Sequence, residues 1–154
     1  PLDARAAVSS ALVMMEPQLR QRDIAITSSM PRDPAMIVAD RLRLEQVLIN
    51  LLRNALDATK GTAEPDIRVS LSVGDDVLVS VRDNGVGIEN LDDLFEPFYT
   101  TKAPGDGTGL GLAISSGIVN DLGGRLTARN GSDGGAVFEI ILPRATDASA
   151  AAAE

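Results

Sequence analysis

The period of the apolar positions changes several times along the chain, and each change marks an element. In ARAAVSSALVMMEPQLR the residues Val8, Ala11, Leu12, Met15 and Leu19 recur at helical spacing, which predicts a first helix over about residues 3–20, with Pro17 as a kink. DIAITSSM and AMIV read as short strands around a turn at Pro31 and Pro34. Asp40 stands where a capping side chain is needed for a second helix that runs to about residue 59 and is closed by Gly61. DIRVSLSV and DVLVSV then alternate with period two and are joined by Gly74-Asp75, the pattern of an antiparallel hairpin.

After Val81 the periodicity breaks for about 25 residues rich in Gly, Pro, Asp and Thr, too long for an ordinary connection and therefore expected to be a functional loop. A third helix is expected over about residues 108–122. RLTAR and AVFEIILP form a last hairpin across residues 130–134, where Asn130-Gly131-Ser132 reads as a turn, and Pro143 ends the final strand. Together these elements predict an α/β fold, a two-layer sandwich in which a mixed sheet is covered on one face by three helices. One domain is expected over residues 1–143, followed by a disordered tail over residues 144–154.

Composition narrows the chemistry. A chain of 154 residues with 44% apolar content can bury a proper core. It has no cysteine, which excludes disulfides and thiolate metal sites, and no histidine, which removes the commonest general base and metal ligand and any internal phosphohistidine. A net charge of −8 and a sparse aromatic set of Phe95, Phe98, Tyr99 and Phe138 argue against nucleic acid as a partner, so an anionic ligand needs a locally positive pocket. The sequence shows neither a leader nor a run of about 18 apolar residues, so neither a signal peptide nor a membrane span is expected, and no membrane contact from this piece.

Three constellations could carry chemistry. In LEQVLINLLRNALDAT the residues Asn50, Arg53, Asn54 and Asp57 fall on one helical stripe. That stripe is either an ordinary solvated face or a ligand face; two asparagines favour the second, because asparagine is a poor helix former and its amide oxygen suits magnesium. In VSVRDNGVGIEN the carboxylate of Asp83 ends a strand and is followed by Gly85 and Gly87. This is either a plain Asx turn or a place where a flat ring lies on bare backbone while its exocyclic amine donates to the carboxylate. GDGTGLGLAI brings Gly107, Thr108, Gly109, Leu110, Gly111 and Leu112 into a helix; it matches neither standard glycine-rich phosphate motif, yet a helix N-terminus with free N–H groups favours a phosphate chain over a merely flexible loop.

Taken in order, NLLRNALDA, DNGVGI, LFEPFYTTK and GTGLGLAI resemble the four signature boxes of the catalytic and ATP-binding domain of sensor histidine kinases, in the superfamily shared with gyrase, the Hsp90 chaperones and MutL. The wording is similar to kinases of the nitrogen-regulatory and dicarboxylate-sensing groups. The resemblance implies the Bergerat fold, with ATP and Mg2+ as cofactors. It implies that Asp83 receives the adenine amine, that Gly85, Gly87 and Ile88 let the base approach beside Ala58, and that Asn54 holds magnesium with Asn50 near the phosphates. Phe95 and Phe98 would pack under a mobile lid, Lys102 would reach the γ-phosphate, and Gly107, Gly109 and Gly111 would frame the phosphates, flanked by Thr108, Leu110 and Leu112.

Where ATP-hydrolysing relatives carry a glutamate, Asn50 offers an amide that cannot take a proton, so hydrolysis should be slow while phosphoryl transfer by positioning remains open. Two positions depart from the family pattern: Asp57 stands where many members have lysine, leaving cationic help to Arg53 or Lys102, and Ala136 stands where a threonine hydroxyl often supports the Asp83 network. The implied partners are a dimerisation domain carrying the acceptor histidine and, through it, a response regulator, with this piece on the cytoplasmic side of an inner-membrane sensor. The alternatives are a nucleotide-sensing module without kinase activity and an anti-sigma-type serine kinase.

Overall fold

The structure is a computed structural model that describes residues 1–97 and 110–146. Its elements run β1 (Leu2–Asp3), α1 (Ala4–Gln21), β2 (Ile26–Ser29), β3 (Met36–Ile37), α2 (Arg41–Ala58), β4 (Ile67–Val73), β5 (Asp76–Asp83), α3 (Gly111–Asp121), β6 (Arg125–Asn130) and β7 (Ala136–Pro143). Five strands form one sheet in the order β2-β4-β5-β7-β6, parallel between β2 and β4 and antiparallel elsewhere. The three helices lie on one face of it, as the periodicity predicts.

The alternation of the strands decides which face is covered. Ile67, Val69 and Leu71 of β4, Val77, Val79 and Val81 of β5, and Phe138, Ile140 and Leu142 of β7 turn to the helices and are buried. Arg68, Ser70 and Ser72 point the other way and are exposed. Against the inner face sits α2, whose Leu44, Val47, Leu48, Leu51 and Ala55 make an almost fully buried stripe. Its N-terminus is capped as expected, with Asp40 Oδ1 accepting from the Leu42 N–H at 3.0 Å. At its other end the Arg22 guanidinium donates to the Leu56 carbonyl, serving an acceptor that the last helical turn leaves over.

Several boundaries differ from the sequence expectation. AMIV does not join the main sheet: β3 pairs antiparallel with β1, a two-residue strand that periodicity cannot detect. Asp3 explains the arrangement, because it caps α1 through the Arg5 N–H at 3.1 Å and also accepts from the Ala35 N–H at 3.1 Å. The hydrogen-bonded Arg5 guanidinium holds its carboxyl below the ordinary aspartate range. Pro17 lies inside a helix that continues to Gln21. Within the described residues α3 begins at Gly111, with Leu110 at its cap, and residues 108 and 109 of the expected start lie outside them. The stretch after Ile88, expected to be a functional loop, contributes buried Leu94 and packs Phe95 against the core. Beyond Pro143 the Ala145 N–H donates to the Met36 carbonyl at 2.7 Å, while residues 147–154 lie outside the described residues.

Leu51 has no exposed surface and sits at the centre of the α2 stripe. Leu51→Ala is expected to destabilise the domain by about 2–5 kcal/mol in urea denaturation followed by circular dichroism, since a closed core cannot collapse onto the missing atoms.

Candidate functional site

The inward alternation of β5 runs Val77, Val79, Val81 and then Asp83, so the sheet delivers a carboxylate to its buried face. Asp83 is only 4% exposed. Its Oδ1 accepts from the Gly85 N–H at 2.9 Å, and the Ala136 N–H also bonds it. Burial raises the pKa above the ordinary 3.8; the N–H groups of Gly85 and Ala136 oppose that shift without cancelling it. Ala136 thus meets Asp83 through its main-chain N–H and offers no hydroxyl beside it.

The loop after Asp83 is held from three sides. From the end of α2, the Ala58 carbonyl accepts from the Val86 N–H at 3.1 Å, and a Cβ on Gly85 would stand 2.1 Å from that oxygen. No side chain fits there, which is why glycine occupies the position. From the segment before β4, the Asn84 amide bridges the Asp66 N–H and the Glu64 carbonyl, each at 2.8 Å. From the end of β6, the Asn130 amide accepts from the Ile88 N–H at 2.7 Å and donates to the Ile88 carbonyl at 3.1 Å. Asn84 and Asn130 thus act as short pieces of strand, pairing main chain that no neighbouring strand reaches. Gly87 has φ +80, and its bare Cα faces Asn130 Oδ1.

The stripe on α2 is half in and half out of the protein: Asn50, Asn54, Asp57 and Ala58 are half-buried and Arg53 is exposed. Asn50 Nδ2 donates to Ser115 Oγ of α3 at 3.0 Å, and a Cβ on Gly111 would meet Asn50 Oδ1 at 2.6 Å. Asp57, where a cation is common in the family resembled, forms an ion pair with Lys60 at 3.5 Å. Leu110, Gly111 and Leu112 are half-buried at the start of α3. Helix α2 thus connects two expected parts of the site, meeting the Asp83 loop at Ala58 and the α3 N-terminus at Asn50. Phe98, Lys102, Gly107, Thr108 and Gly109 lie outside the described residues.

A model described as histidine kinase-, DNA gyrase B- and HSP90-like ATPase matches residues 39–146. The chain belongs to this family. It is 42% identical over 158 residues to the two-component sensor PprA of Pseudomonas aeruginosa, covering 97% of this chain and 17% of PprA. It is 38% identical over 148 residues to the C4-dicarboxylate transport sensor DctB of Rhizobium meliloti, covering 94% of this chain and 23% of that protein. The chain therefore spans about a fifth of the length of these curated relatives. Among solved structures, the nucleotide-free catalytic domain of the histidine kinase ThkA superposes with a TM-score of 0.81 at 32% identity, covering 93% of each chain. Full-length ShkA, solved in complex with AMPPNP, superposes with a TM-score of 0.79 at 30% identity, covering 95% of this chain and 31% of its own. The fold is that of histidine kinase catalytic domains.

Sequence reasoning passed over Asn84, Asn130, Ser115 and Gly135. Asn130 looked like turn chemistry; its chemical signal, an amide ready to pair main chain, points to no partner until β6 is placed beside Ile88. Gly135, with φ +72, lets the last turn close on the Asp83 carbonyl, where a Cβ would stand 1.9 Å away.

A carboxyl whose folded pKa is raised favours folding most below its unfolded pKa, and that contribution is lost as the pH rises through the folded value. Asp83→Asn is therefore expected to raise the stability of the ligand-free domain at neutral pH. The gain over the parent should begin to shrink as the pH falls through the raised Asp83 pKa and be gone below the ordinary aspartate value, as read from thermal melts across a pH series.

Proposed function

We propose that the chain is the ATP-binding catalytic domain of a two-component sensor histidine kinase, donating the γ-phosphoryl group of ATP to a histidine on a separate dimerisation domain. The observation that carries this reading is Asp83: a carboxylate buried on the helix-covered face, set by burial and two main-chain N–H groups. Those two N–H groups use only part of the carboxylate's acceptor capacity, and an exocyclic amine of adenine fits the remainder. Guanine would turn an oxygen toward the same lone pairs, at a cost of about 1–3 kcal/mol. Family membership and the ShkA complex with AMPPNP support the same ligand class.

The remaining roles follow from the chain's own groups. Gly85, Gly87 and Ile88 leave main chain open beside Ala58 for the flat ring. The N-terminus of α3, beginning at Leu110, Gly111 and Leu112, favours the phosphates through its first-turn N–H groups; phosphate roles for Lys102, Gly107, Thr108 and Gly109, which lie outside the described residues, rest on the family resemblance. Among the described residues no three carboxylate, histidine or cysteine side chains are grouped to cage a metal. A single half-buried amide at Asn54 instead fits magnesium, which takes most of its ligands from water and phosphate oxygens. When bound, that ion neutralises charge on the phosphate chain. Asn50, tied to Ser115 and unable to accept a proton, positions without activating water, so transfer is favoured over hydrolysis.

The chain contains no histidine, so the acceptor belongs to the dimerisation domain, and a response regulator follows in the relay. The full-length protein places this domain on the cytoplasmic side; no helix among the described residues is long and apolar enough to cross a membrane.

Calorimetric titration with magnesium and adenine or guanine nucleotides tests the pocket. Adenine nucleotides should bind at least about fivefold more tightly than guanine nucleotides, and Asp83→Asn should abolish the preference with the fold retained. Equal binding of both bases overturns the reading. Adenine affinity should also fall as the pH drops through the Asp83 pKa, beginning above the range of an ordinary aspartate because burial raises it, since the ionised carboxylate is a stronger acceptor for the amine than the protonated acid. With a matching histidine-bearing dimerisation domain and labelled ATP, label should appear on that histidine. Asn54→Ala should lower the rate by about a hundredfold or more.

A further inference from the structure

The main chain of residues 83–88, which bounds the base pocket, is not fixed by apolar packing. Val86 within it is 87% exposed, and Ile88 is only partly buried where it meets the core. Hydrogen bonds therefore decide the shape of this loop. One end is held by the Ala136 N–H on the Asp83 carboxylate. The other end is held by Asn130, whose Oδ1 accepts from the Ile88 N–H at 2.7 Å while Nδ2 donates to the Ile88 carbonyl at 3.1 Å.

These two anchors form a single rung, because Asn130 and Ala136 are direct partners at the end of the β6–β7 ladder. Beyond the rung the Gly131 N–H donates to the Gly135 carbonyl at 3.0 Å and closes the turn. The Asn130 side chain has no packing duty to explain it: the residue is exposed and stands outside the hydrophobic core. What it offers is an amide that accepts from and donates to the same residue, as a neighbouring strand would. Gly87 is fitted to it. With φ +80, a Cβ at that position would stand 3.0 Å from Asn130 Oδ1, so a side chain there would crowd the amide that holds Ile88.

We propose that Asn130 is a positioning residue for nucleotide binding: by pairing the Ile88 main chain it holds residues 85–88 in the shape that receives the base before the ligand arrives. It thereby sets affinity for the adenine end and takes no part in phosphoryl transfer. The inference rests on the adenine reading of the pocket. A loop released from the pair would populate several shapes, and apparent affinity falls by the fraction that stays competent. The phosphate end is tied to the scaffold separately, through Asn50 and Ser115, so the effect is confined to the base.

The test compares Asn130→Ala and Asn130→Asp with the parent chain, using magnesium, labelled ATP and the matching histidine-bearing dimerisation domain. KM for ATP should rise at least about fivefold in each, with kcat unchanged at saturating ATP. By calorimetry Kd should rise by the same factor for ATP and ADP. Asn130→Asp matters because it is isosteric and keeps an acceptor for the Ile88 N–H, yet turns an oxygen toward the Ile88 carbonyl; a packing role would leave it like the parent. Leu126→Ala, on the same strand but in the core, should lower stability and leave KM as in the parent. Amide hydrogen exchange of the ligand-free chain should quicken at Ile88 in both Asn130 variants and stay unchanged at Val69 and Val79 within the sheet. An unchanged KM in both Asn130 variants, a loss confined to kcat, Asn130→Asp behaving as the parent, or an equal rise in KM with Leu126→Ala would overturn this inference and leave the pocket reading standing. Failure of the parent to bind adenine nucleotides would overturn both.

Discussion

A single ionisable group organises this domain: a carboxylate placed where the core should be. Asp83 continues the inward series of β5 valines, and burial pushes its pKa up even though two main-chain N–H groups bond it. A protein interior tolerates a charge only where fixed donors meet it. One of the two donors to Asp83 is local, the Gly85 N–H two residues on, and the other comes from far along the chain, the first residue of β7 at Ala136. The last hairpin must therefore close correctly for the loop to be formed at all, and Gly135, pressed on the Asp83 carbonyl, is the point of contact.

Around that group, α2 serves both packing and chemistry. Its apolar stripe fills the centre of the core, while the adjacent stripe presents Asn50, Asn54 and Asp57 at the boundary with solvent. Because one rigid helix carries both, the amides are positioned by the same contacts that stabilise the fold. Its C-terminal end meets the Asp83 loop through Ala58, and its middle meets α3 through Asn50 and Ser115. Asparagine recurs for a related reason at Asn84 and Asn130, where a neutral amide offers donor and acceptor together and so substitutes for a missing strand. The opposite face of the same sheet is free of these demands, and there Ser70, Ser80, Arg68, Arg82 and Glu139 stand among the apolar Leu78, Val137 and Ile141.

How much of this was legible in the sequence depends on how local the cause was. The three helices, the β4–β5 and β6–β7 hairpins and the capping role of Asp40 could be read directly, because each rests on periodicity or capping within a few residues. The four ordered boxes carried the family. Asp83 could be placed at a strand end, and counting by twos from Val77 even puts it on the buried face. The β1–β3 ribbon was missed because two-residue strands have no period, and it depends on Asp3 reaching Ala35 across the intervening helix. Pro17 was read as a kink within the first helix, and α1 contains it and runs on to Gln21.

The sequence by itself determined the element types, the mixed α/β architecture, the family, and the residue kinds able to hold a base, a phosphate chain and a metal, since those follow from side-chain chemistry and local backbone preference. Only the tertiary structure decided which of them meet. Asn130 becomes a clamp on Ile88 because β6 lies at the sheet edge beside that loop, Gly111 must be glycine because Asn50 stands against it, and three arginines form one row because strand register aligns them. Register and packing are properties of pairs of segments far apart in the chain, and no window along a single strand contains them.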